Sequence, residues 1–320
     1  MPPRHPELER AIALSGAGRN PEAVLIINQL AAQNDPGALA MLAEMRWRGG
    51  IVTQDLPAAR DLFRRAGEAG HAVAGTVFTN LLASGAAGLR DWPLALKRLE
   101  REARTMASRK AMSDLIKTMK IDGDGNPSAL PLQKPLSTSP DVTLFPRLFS
   151  RAECDFLRRA AEPLYTASTV NDSRGQEVRD PLRTSHGATI HWMIEDPAVY
   201  ALNCRLAAAS GTSADQGEAI QILRYRKGEQ YLPHLDFVRA AENQRFKTAL
   251  VYLNDDYAGG ETCFIKIGLK VKGGRGDAVI FCNAALDRAP DPMSEHASLP
   301  VTSGTKYLAS RWIRESRWLP

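Results

Sequence analysis

Residues 219–236 read AIQILRYRKGEQYLPHLD. The apolar run at 219–226 and a glycine turn lead into a second short run, a pattern typical of two short β-strands. Similar apolar runs occur at 247–253, 276–282 and 306–313, separated by Gly and Asn/Asp turns. Short strands divided by turn residues predict a β-sandwich or a β-barrel for the second half of the chain.

Two helices are predicted before and among these strands. Ser150 followed by Glu153 forms a capping-box pattern, which predicts a helix that stops before Pro163. Asp196-Pro197 has the signature of a helix start, and this second helix is expected to end near Gly211.

Residues 1–118 are rich in Ala and Leu and contain a weak internal repeat. Asp55-Leu-Pro-Ala-Ala59 has a counterpart in Asp91-Trp-Pro-Leu-Ala95, and glycines fall in the expected turns. Such a period predicts helix–turn–helix units that stack as a short solenoid, with a plain helical bundle as the alternative. Together with Gly70-His71-Ala72 and Gly85, the pattern resembles Sel1-like repeats of the tetratricopeptide class.

The stretch 121–140, IDGDGNPSALPLQKPLSTSP, is rich in Pro, Gly and Ser, which favours extended or turning backbone. We therefore expect helical repeats over 1–120, a linker over 121–140 and a second domain over 141–320. The fold class expected for the whole chain is α+β.

The composition excludes several classes of protein. The chain has 320 residues, is 44% hydrophobic and 24% charged, and has a net charge of +5 with no basic block. We therefore expect no nucleic-acid partner. No apolar run approaches about 18 residues and the N-terminus lacks a secretory pattern, so we expect no membrane partner and a cytoplasmic location. The four cysteines have no CxxC spacing and are expected to be buried, reduced thiols.

The sequence His234-Leu235-Asp236 is the first candidate for chemistry. Side chains at i and i+2 of a strand share a face, so an imidazole and a carboxylate could meet one metal ion. A lone motif of this kind is more often a surface turn. His296 lies further along and Lys306 follows it. Two histidines and one carboxylate are the ligand set of non-haem Fe(II) oxygenases, and a nearby cation suits an anionic co-substrate.

The region from about 140 to 315 resembles the prolyl 4-hydroxylase branch of the 2-oxoglutarate-dependent oxygenases. The matching segments, in order, are Gln221–Tyr225, Gly228–Tyr231, Pro233–Asp236, Tyr252–Asp255, Gly259–Thr262, Gly276–Phe281, His296, Pro300-Val301, Gly304–Lys306 and Trp312. The resemblance implies a double-stranded β-helix (jelly-roll) oxygenase domain after the helical repeats.

The resemblance also implies roles for particular residues. His234, Asp236 and His296 would bind Fe(II). Lys306 would pair with the distal carboxylate of 2-oxoglutarate, helped by the hydroxyls of Tyr225 and Thr262. The residues expected on the substrate side are Tyr231, Arg245 and Trp312.

The implied activity is Fe(II)- and 2-oxoglutarate-dependent hydroxylation, of a prolyl residue in a peptide or protein. The implied cofactors are Fe(II), 2-oxoglutarate and O₂, with ascorbate as a further expectation. A free amino acid or another residue type stays open as the substrate, as does a catalytically silent repeat protein. The repeats could recruit a protein partner or form a homodimer, and the polar stretch 166–182 is a candidate lid.

Overall fold

The structure is a computed structural model that describes residues 5–168, 183–238, 241–285 and 289–318, with the backbone of 170–171 and 177–178. It divides into two compact units. The first comprises 5–117 together with Trp192–Ala198, and the second comprises the rest of the described chain from Thr118 onward. Most of the candidate lid at 166–182 lies outside the described residues.

The first unit is helical, as the repeat pattern predicts. Its helices are α1 (Pro6–Gly16), α2 (Asn20–Ala32), α3 (Pro36–Arg48), α4 (Leu56–Glu68), α5 (Ala72–Ser84), α6 (Trp92–Glu102) and α7 (Ala107–Thr118). Helix α7 ends at the residue that begins the second unit.

The repeated Asp-x-Pro sequences are helix starts. The side chains of Asp55 and Asp91 accept hydrogen bonds from the backbone N–H three residues later, and a proline occupies the first turn of each helix. Small residues let the helices approach closely, since a Cβ on Gly67 would lie 2.6 Å from the Cα of Gly75. Helix α5 ends at Gly85, which has the left-handed backbone (φ +74°) that favours glycine.

The second unit is mainly β-sheet. Its strands are β1 (Lys134–Thr138), β2 (Asp141–Phe145), β3 (Thr166–Ala167), β4 (Val170–Asn171), β5 (Glu177–Val178), β6 (His186–Ile190), β7 (Ile220–Tyr225), β8 (Tyr231–His234), β9 (Arg245–Tyr252), β10 (Tyr257–Gly259), β11 (Thr262–Phe264), β12 (Leu269–Val271), β13 (Ala278–Cys282), β14 (His296–Ser298), β15 (Val301–Gly304) and β16 (Lys306–Arg314). Helices α8 (Arg151–Ala161) and α9 (Pro197–Ser210) complete the described elements of regular structure, apart from short 3₁₀ turns.

Two antiparallel sheets form the jelly roll. The large sheet has the order β1-β2-β13-β9-β16-β7-β6-β3, and the small sheet has the order β12-β11-β14-β8. Buried side chains from both sheets meet in one core, which contains Val142, Leu223, Tyr225, Leu250, Tyr252, Phe264, Val271, Val279, Phe281, Val301 and Leu308. The site described below lies beside this core, because Phe281 packs against the ring of His296 with centroids 4.8 Å apart.

The predicted strands and helices are confirmed. The four apolar runs correspond to β7, β9, β13 and β16. The capping box of α8 is present, with Ser150 and Glu153 each bonding to the other's backbone N–H. Helix α9 begins at Pro197 and ends at Ser210, close to the expected limits.

The stretch 121–140, predicted as a linker, contains a strand. Lys134–Thr138 is β1 and pairs with β2 at the edge of the large sheet. Pro135 is tolerated there because an edge strand has one side without a partner. The extended backbone predicted for this stretch is therefore used for sheet pairing, and the stretch belongs to the second unit.

No helix in the described part of the chain is both long enough and apolar enough to cross a membrane.

Gly276 lies just before β13 of the large sheet and packs against Phe149, just before α8. Replacing Gly276 with Ala should destabilise the protein. Its φ is +90°, and a Cβ would lie 2.0 Å from the carbonyl oxygen of Phe149. The left-handed backbone costs about 1–2 kcal/mol, and the clash should add about 1–3 kcal/mol. Gly228→Ala is the matched control, since Gly228 has φ +84° with nothing within 4 Å of the added carbon. The free energy of unfolding in urea measures both losses, and equal losses would contradict the clash.

Candidate active site

Two histidines and an aspartate converge where β8 meets β14. One ligand atom from each of His234, Asp236 and His296 lies within 4.8 Å of the others, and this is the one such group found among the described residues. His234 ends β8 and lies directly opposite His296, the first residue of β14. The prediction placed Asp236 on the same strand as His234, but the strand ends at His234 and Asp236 lies in the segment that follows.

A β-bulge shapes this meeting point. His296 pairs with His234, whereas Ser298 pairs with Tyr231, so β8 contains one residue more than β14 between the two pairs. Pro233 lies within the bulge, where a missing N–H donor is tolerated. Bulges of this kind redirect side chains next to functional sites.

Both imidazole rings are oriented by backbone carbonyls. His234 Nδ1 lies 2.8 Å from Leu232 O, and His296 Nδ1 lies 3.0 Å from Ser294 O. This geometry assigns the ring proton to Nδ1 in each case and leaves Nε2 free to bind a metal. The two Nε2 atoms each lie 3.7 Å from a carboxylate oxygen of Asp236.

The electrostatics of the cluster favour the metal-binding forms of His234 and Asp236. Burial and the neighbouring His296 lower the pKa of His234 below its usual value, which keeps the imidazole neutral. Burial alone would raise the pKa of Asp236, but the two histidines and the Thr248 hydroxyl outweigh it and hold that pKa below its usual value. Neutral imidazoles and an ionised carboxylate are the forms that bind a metal ion.

Thr248 and Asn283 support the aspartate, and neither was predicted from the sequence. Thr248 Oγ1 donates to Asp236 Oδ2 at 2.7 Å, and Asn283 Nδ2 donates to Thr248 Oγ1 at 2.9 Å. Thr248 and Asn283 are fully buried. These two hydrogen bonds hold the carboxylate so that Oδ1 lies nearest His234 and Oδ2 lies nearest His296.

The donor set fits Fe(II). Two imidazole nitrogens and one carboxylate oxygen on one side of a pocket leave further coordination positions open, as in non-haem iron oxygenases. Each ligand also has the outer hydrogen bond that metal-binding His and Asp residues usually have.

Lys306 is the buried cation beside this cluster. It begins β16, is fully buried, and donates to Gly260 O at 2.7 Å and to Ser298 Oγ at 3.0 Å. It lies over the ring of Tyr225, its partner in the sheet register, at 5.2 Å. Burial lowers the pKa of Lys306 to about 7, and among the described residues no carboxylate forms an ion pair with it.

Thr262 and Tyr225 lie where the resemblance expects co-substrate contacts. Both line the pocket at the metal cluster, as does Ser298. Thr262 Oγ1 lies 3.0 Å from the hydroxyl of Tyr252, which also lies 3.0 Å from Val271 O. Tyr252 was not predicted as part of the site, and its hydroxyl orients that of Thr262.

Tyr231 and Trp312, which the resemblance places on the substrate side, also line this pocket, together with Arg183. The ring of Tyr231 stacks on that of His234 with centroids 3.6 Å apart. Arg183, which the sequence analysis did not identify, is buried and lies 5.0 Å above the Tyr231 ring.

Arg245 does not line the pocket but lies behind Trp312. Its guanidinium stacks on the Trp312 ring at 3.8 Å and donates twice to Glu218, at 2.6 and 2.8 Å. Glu218 also lies 2.6 Å from Arg314 Nε. Arg245 is therefore paired with Glu218, which it shares with Arg314, and it contacts the pocket through Trp312.

Cavity size does not identify this site. The space beside the metal cluster is about 30 Å³, whereas a cavity of about 600 Å³ lies elsewhere in the second unit, between 129–131 and 146–151. The converging donor atoms and the buried lysine identify the active site instead. On a jelly roll, they define the class of non-haem iron oxygenases that use an anionic co-substrate.

Comparisons with known proteins agree with this class. A family model described as the 2OG-Fe(II) oxygenase superfamily matches residues 220–314. Prolyl 4-hydroxylase 1 of Arabidopsis thaliana is 36% identical over 200 residues, which cover 56% of this chain and 71% of that protein. Prolyl 4-hydroxylase subunit alpha-1 of Rattus norvegicus is 31% identical over 209 residues, covering 61% of this chain and 39% of that subunit.

A solved structure is also similar. The viral collagen prolyl hydroxylase of Paramecium bursaria Chlorella virus-1, in its complex with 2OG, aligns with 55% of this chain and 96% of its own at 26% identity and a TM-score of 0.44.

The chain belongs to the prolyl 4-hydroxylase branch of the 2OG-Fe(II) oxygenase superfamily. It is a 2-oxoglutarate-dependent dioxygenase that uses Fe(II), 2-oxoglutarate and O₂. The predictions of enzyme class and of these three cofactors are confirmed.

Thr248→Val should weaken metal binding about 10–100-fold, the range typical for loss of a hydrogen bond to a ligand. Valine keeps the shape of threonine, but it leaves Asp236 without its donor and Asn283 without its acceptor. Anaerobic titration with Fe(II) against a competing chelator measures the affinity. Thr143→Val is the matched control, because Thr143 donates to Asp141 at 3.3 Å outside the site. Similar losses in both variants would show that the Thr248 bond does not support the metal.

Proposed function

We propose that the enzyme hydroxylates a prolyl residue in a peptide or protein. The observation that carries this proposal is the pocket lined by the His–Asp–His cluster and by the aromatic side chains of Tyr231 and Trp312. The buried Lys306 lies against its wall and donates to the lining residue Ser298. The names of the similar Arabidopsis and rat proteins support prolyl hydroxylation. The overall reaction converts a C–H bond, O₂ and 2-oxoglutarate into a C–OH group, succinate and CO₂.

His234, Asp236 and His296 would hold the Fe(II). When bound, Fe(II) supplies the redox chemistry by which O₂ decarboxylates 2-oxoglutarate and one oxygen atom enters the target C–H bond. The chain's own contribution is to present the ligands in their unprotonated forms. The carbonyls behind the imidazoles and the hydroxyl behind the carboxylate perform this task.

Lys306 would bind the distal carboxylate of 2-oxoglutarate. A fully buried ammonium with only a carbonyl and a hydroxyl as partners favours an incoming anion, and a charge-assisted pair in an enclosed site is strong and directional. Thr262 and Tyr225 would add hydroxyl contacts from the same pocket.

Tyr231 and Trp312 would flank the target residue. Their flat, largely apolar surfaces suit the uncharged ring of proline, and both lie on the wall of the metal pocket. Arg245 would hold Trp312 in place through the stacking and the paired hydrogen bonds to Glu218.

A free amino acid is the second candidate substrate, and Arg183 is the observation that favours it. This buried guanidinium lines the metal pocket and could pair with a free α-carboxylate. A peptide-bound proline has no such carboxylate. Parallel assays with free L-proline and with a peptide blocked at both ends separate the two candidates.

The central experiment supplies Fe(II), 2-oxoglutarate and O₂ to the full chain with blocked prolyl peptides. Mass spectrometry should find peptides that gain one oxygen atom on proline, with an equal amount of succinate. Asp236→Ala should abolish both products, whereas Asp255→Ala, an exposed aspartate outside the site, should retain them. Succinate formation that is stimulated only by substrates without proline would refute the prolyl assignment.

Binding of 2-oxoglutarate should take up a proton through Lys306. With its pKa near 7, the free lysine is mostly neutral at higher pH, whereas pairing with a carboxylate favours the charged form. The affinity should therefore fall as the pH rises above 7, by up to about tenfold per pH unit. Calorimetric titration of the metal-loaded, anaerobic enzyme with 2-oxoglutarate, in buffers of different ionisation enthalpy, measures the number of protons taken up on binding.

Two lysine variants control this measurement. Lys306→Met should remove the proton uptake and weaken 2-oxoglutarate binding at least about tenfold. Lys227→Met should leave both in place, since Lys227 is exposed and does not line the pocket. Unchanged uptake in Lys306→Met would assign the proton to another group.

Arg245→Ala should reduce hydroxylation about tenfold or more, because small displacements of a positioning group are costly. Turnover of 2-oxoglutarate without a peptide should persist, since the contacts of Lys306 and Thr262 do not involve Arg245. Comparing the two rates gives the answer, with the exposed Arg226→Ala as control. Equal loss of both rates would instead assign Arg245 to the fold or to co-substrate binding.

A further inference from the structure

The first unit includes a short segment from the second half of the chain. Trp192–Ala198 belongs to the helical unit, although the residues on either side of it, up to His191 and from Val199, belong to the second unit. The segment starts two residues after β6 ends and contains a turn at 192–194 before α9 begins. The helical unit therefore includes a segment that lies far from its helices in the sequence.

Asn80 on α5 binds the main chain of this segment. Its Nδ2 donates to Met193 O at 2.9 Å, and its Oδ1 accepts from Arg109 Nη1 at 3.0 Å. Asn80 and Arg109 are each only 5% exposed. Both ends of the amide are thus engaged, and the second bond determines which end faces Met193.

A buried polar chain holds Arg109 in turn. Arg109 Nε donates to Glu102 at 2.6 Å, and Glu102 also accepts from Thr79 Oγ1 at 2.5 Å. Arg98 donates to the same Thr79 hydroxyl at 3.0 Å. The chain thus joins α5, α6 and α7.

Stacking of Ala- and Leu-rich helices does not require such a chain. Apolar contact between neighbouring repeats is sufficient for that purpose, and burying charged and amide groups has a desolvation cost. In this series of buried polar groups, the last donor, Asn80 Nδ2, bonds to a backbone carbonyl of Trp192–Ala198. That contact gives the buried polar groups a function.

We propose that Asn80, oriented by Arg109, is a positioning residue that anchors the chain immediately after β6. β6 pairs with β7, from Ile190 opposite Ile220 to His186 opposite Arg224, and Arg183 of the metal pocket lies just before β6. Holding Met193 O therefore restrains the end of the strand that follows Arg183. The exchange measurements that test this proposal do not depend on the identity of the substrate, whereas the activity assay rests on the proposed prolyl function.

Asn80→Asp tests the proposal in the full-length chain. Aspartate keeps an acceptor for Arg109 but cannot donate to Met193 O. Hydrogen–deuterium exchange at 191–198 and along β6 should become about tenfold faster or more, as expected when one buried hydrogen bond is lost. Exchange in α1–α4 should not change. Asn28→Asp is the matched control, because Asn28 Nδ2 donates to Val24 O on the exposed side of α2.

Two further variants keep the test decisive. Arg109→Lys retains a cation for Glu102 but lacks the second nitrogen that reaches Asn80, so it should accelerate exchange at the same amides even if Asn80→Asp fails to fold. Met193→Ala should leave exchange nearly unchanged, because the contact uses the backbone carbonyl.

The activity assay separates positioning from general stability. In Asn80→Asp, the KM for a prolyl peptide should rise, while 2-oxoglutarate turnover without peptide stays at the wild-type rate. Unchanged exchange at 191–198 would overturn the proposal. So would faster exchange throughout both units, or an effect of Met193→Ala as large as that of Asn80→Asp.

Discussion

The pairing of β8 with β14 is the constraint on which the rest of the site depends. It places His234 directly opposite His296, and the adjacent bulge sets Tyr231 opposite Ser298. A register shift of one residue would turn one imidazole to the other face of the sheet and separate the two ligands. The stacking of Tyr231 on His234 at 3.6 Å and the packing of Phe281 on His296 at 4.8 Å make such a shift unfavourable.

Buried charge explains why this pocket suits a metal and a dicarboxylate. Asp236 is 7% exposed and Lys306 is fully buried, so each is removed from the water that would stabilise its charged form. The protein offers the carboxylate two imidazoles and a hydroxyl, and it offers the ammonium a carbonyl and a hydroxyl. In the proposed assignment, a divalent cation at Asp236 and a carboxylate at Lys306 would supply the missing opposite charges. Ligand binding thus relieves a cost that folding alone leaves in place.

The sequence predicted most of the residues that the structure brings together at the pocket, though not the position of Arg245 behind Trp312, and it missed the residues that support them. The strands, the helix caps and the His–Asp–His cluster follow from local patterns and from a long ordered resemblance. Thr248, Asn283 and Tyr252 could not be predicted, because their contacts arise from the pairing of strands far apart in the chain. The pairing of Arg245 with Glu218 could not be predicted either, because the sequence position of a charged residue does not identify its partner.

The discontinuous first unit changes what its helices are expected to do. A repeat unit joined to an enzyme only by a linker can recruit partners without affecting the fold of that enzyme. Here the chain enters the helical unit at Trp192 and leaves it after Ala198, within the first turn of α9. Any opening of the Asn80–Met193 contact therefore frees both the end of β6 and the start of α9.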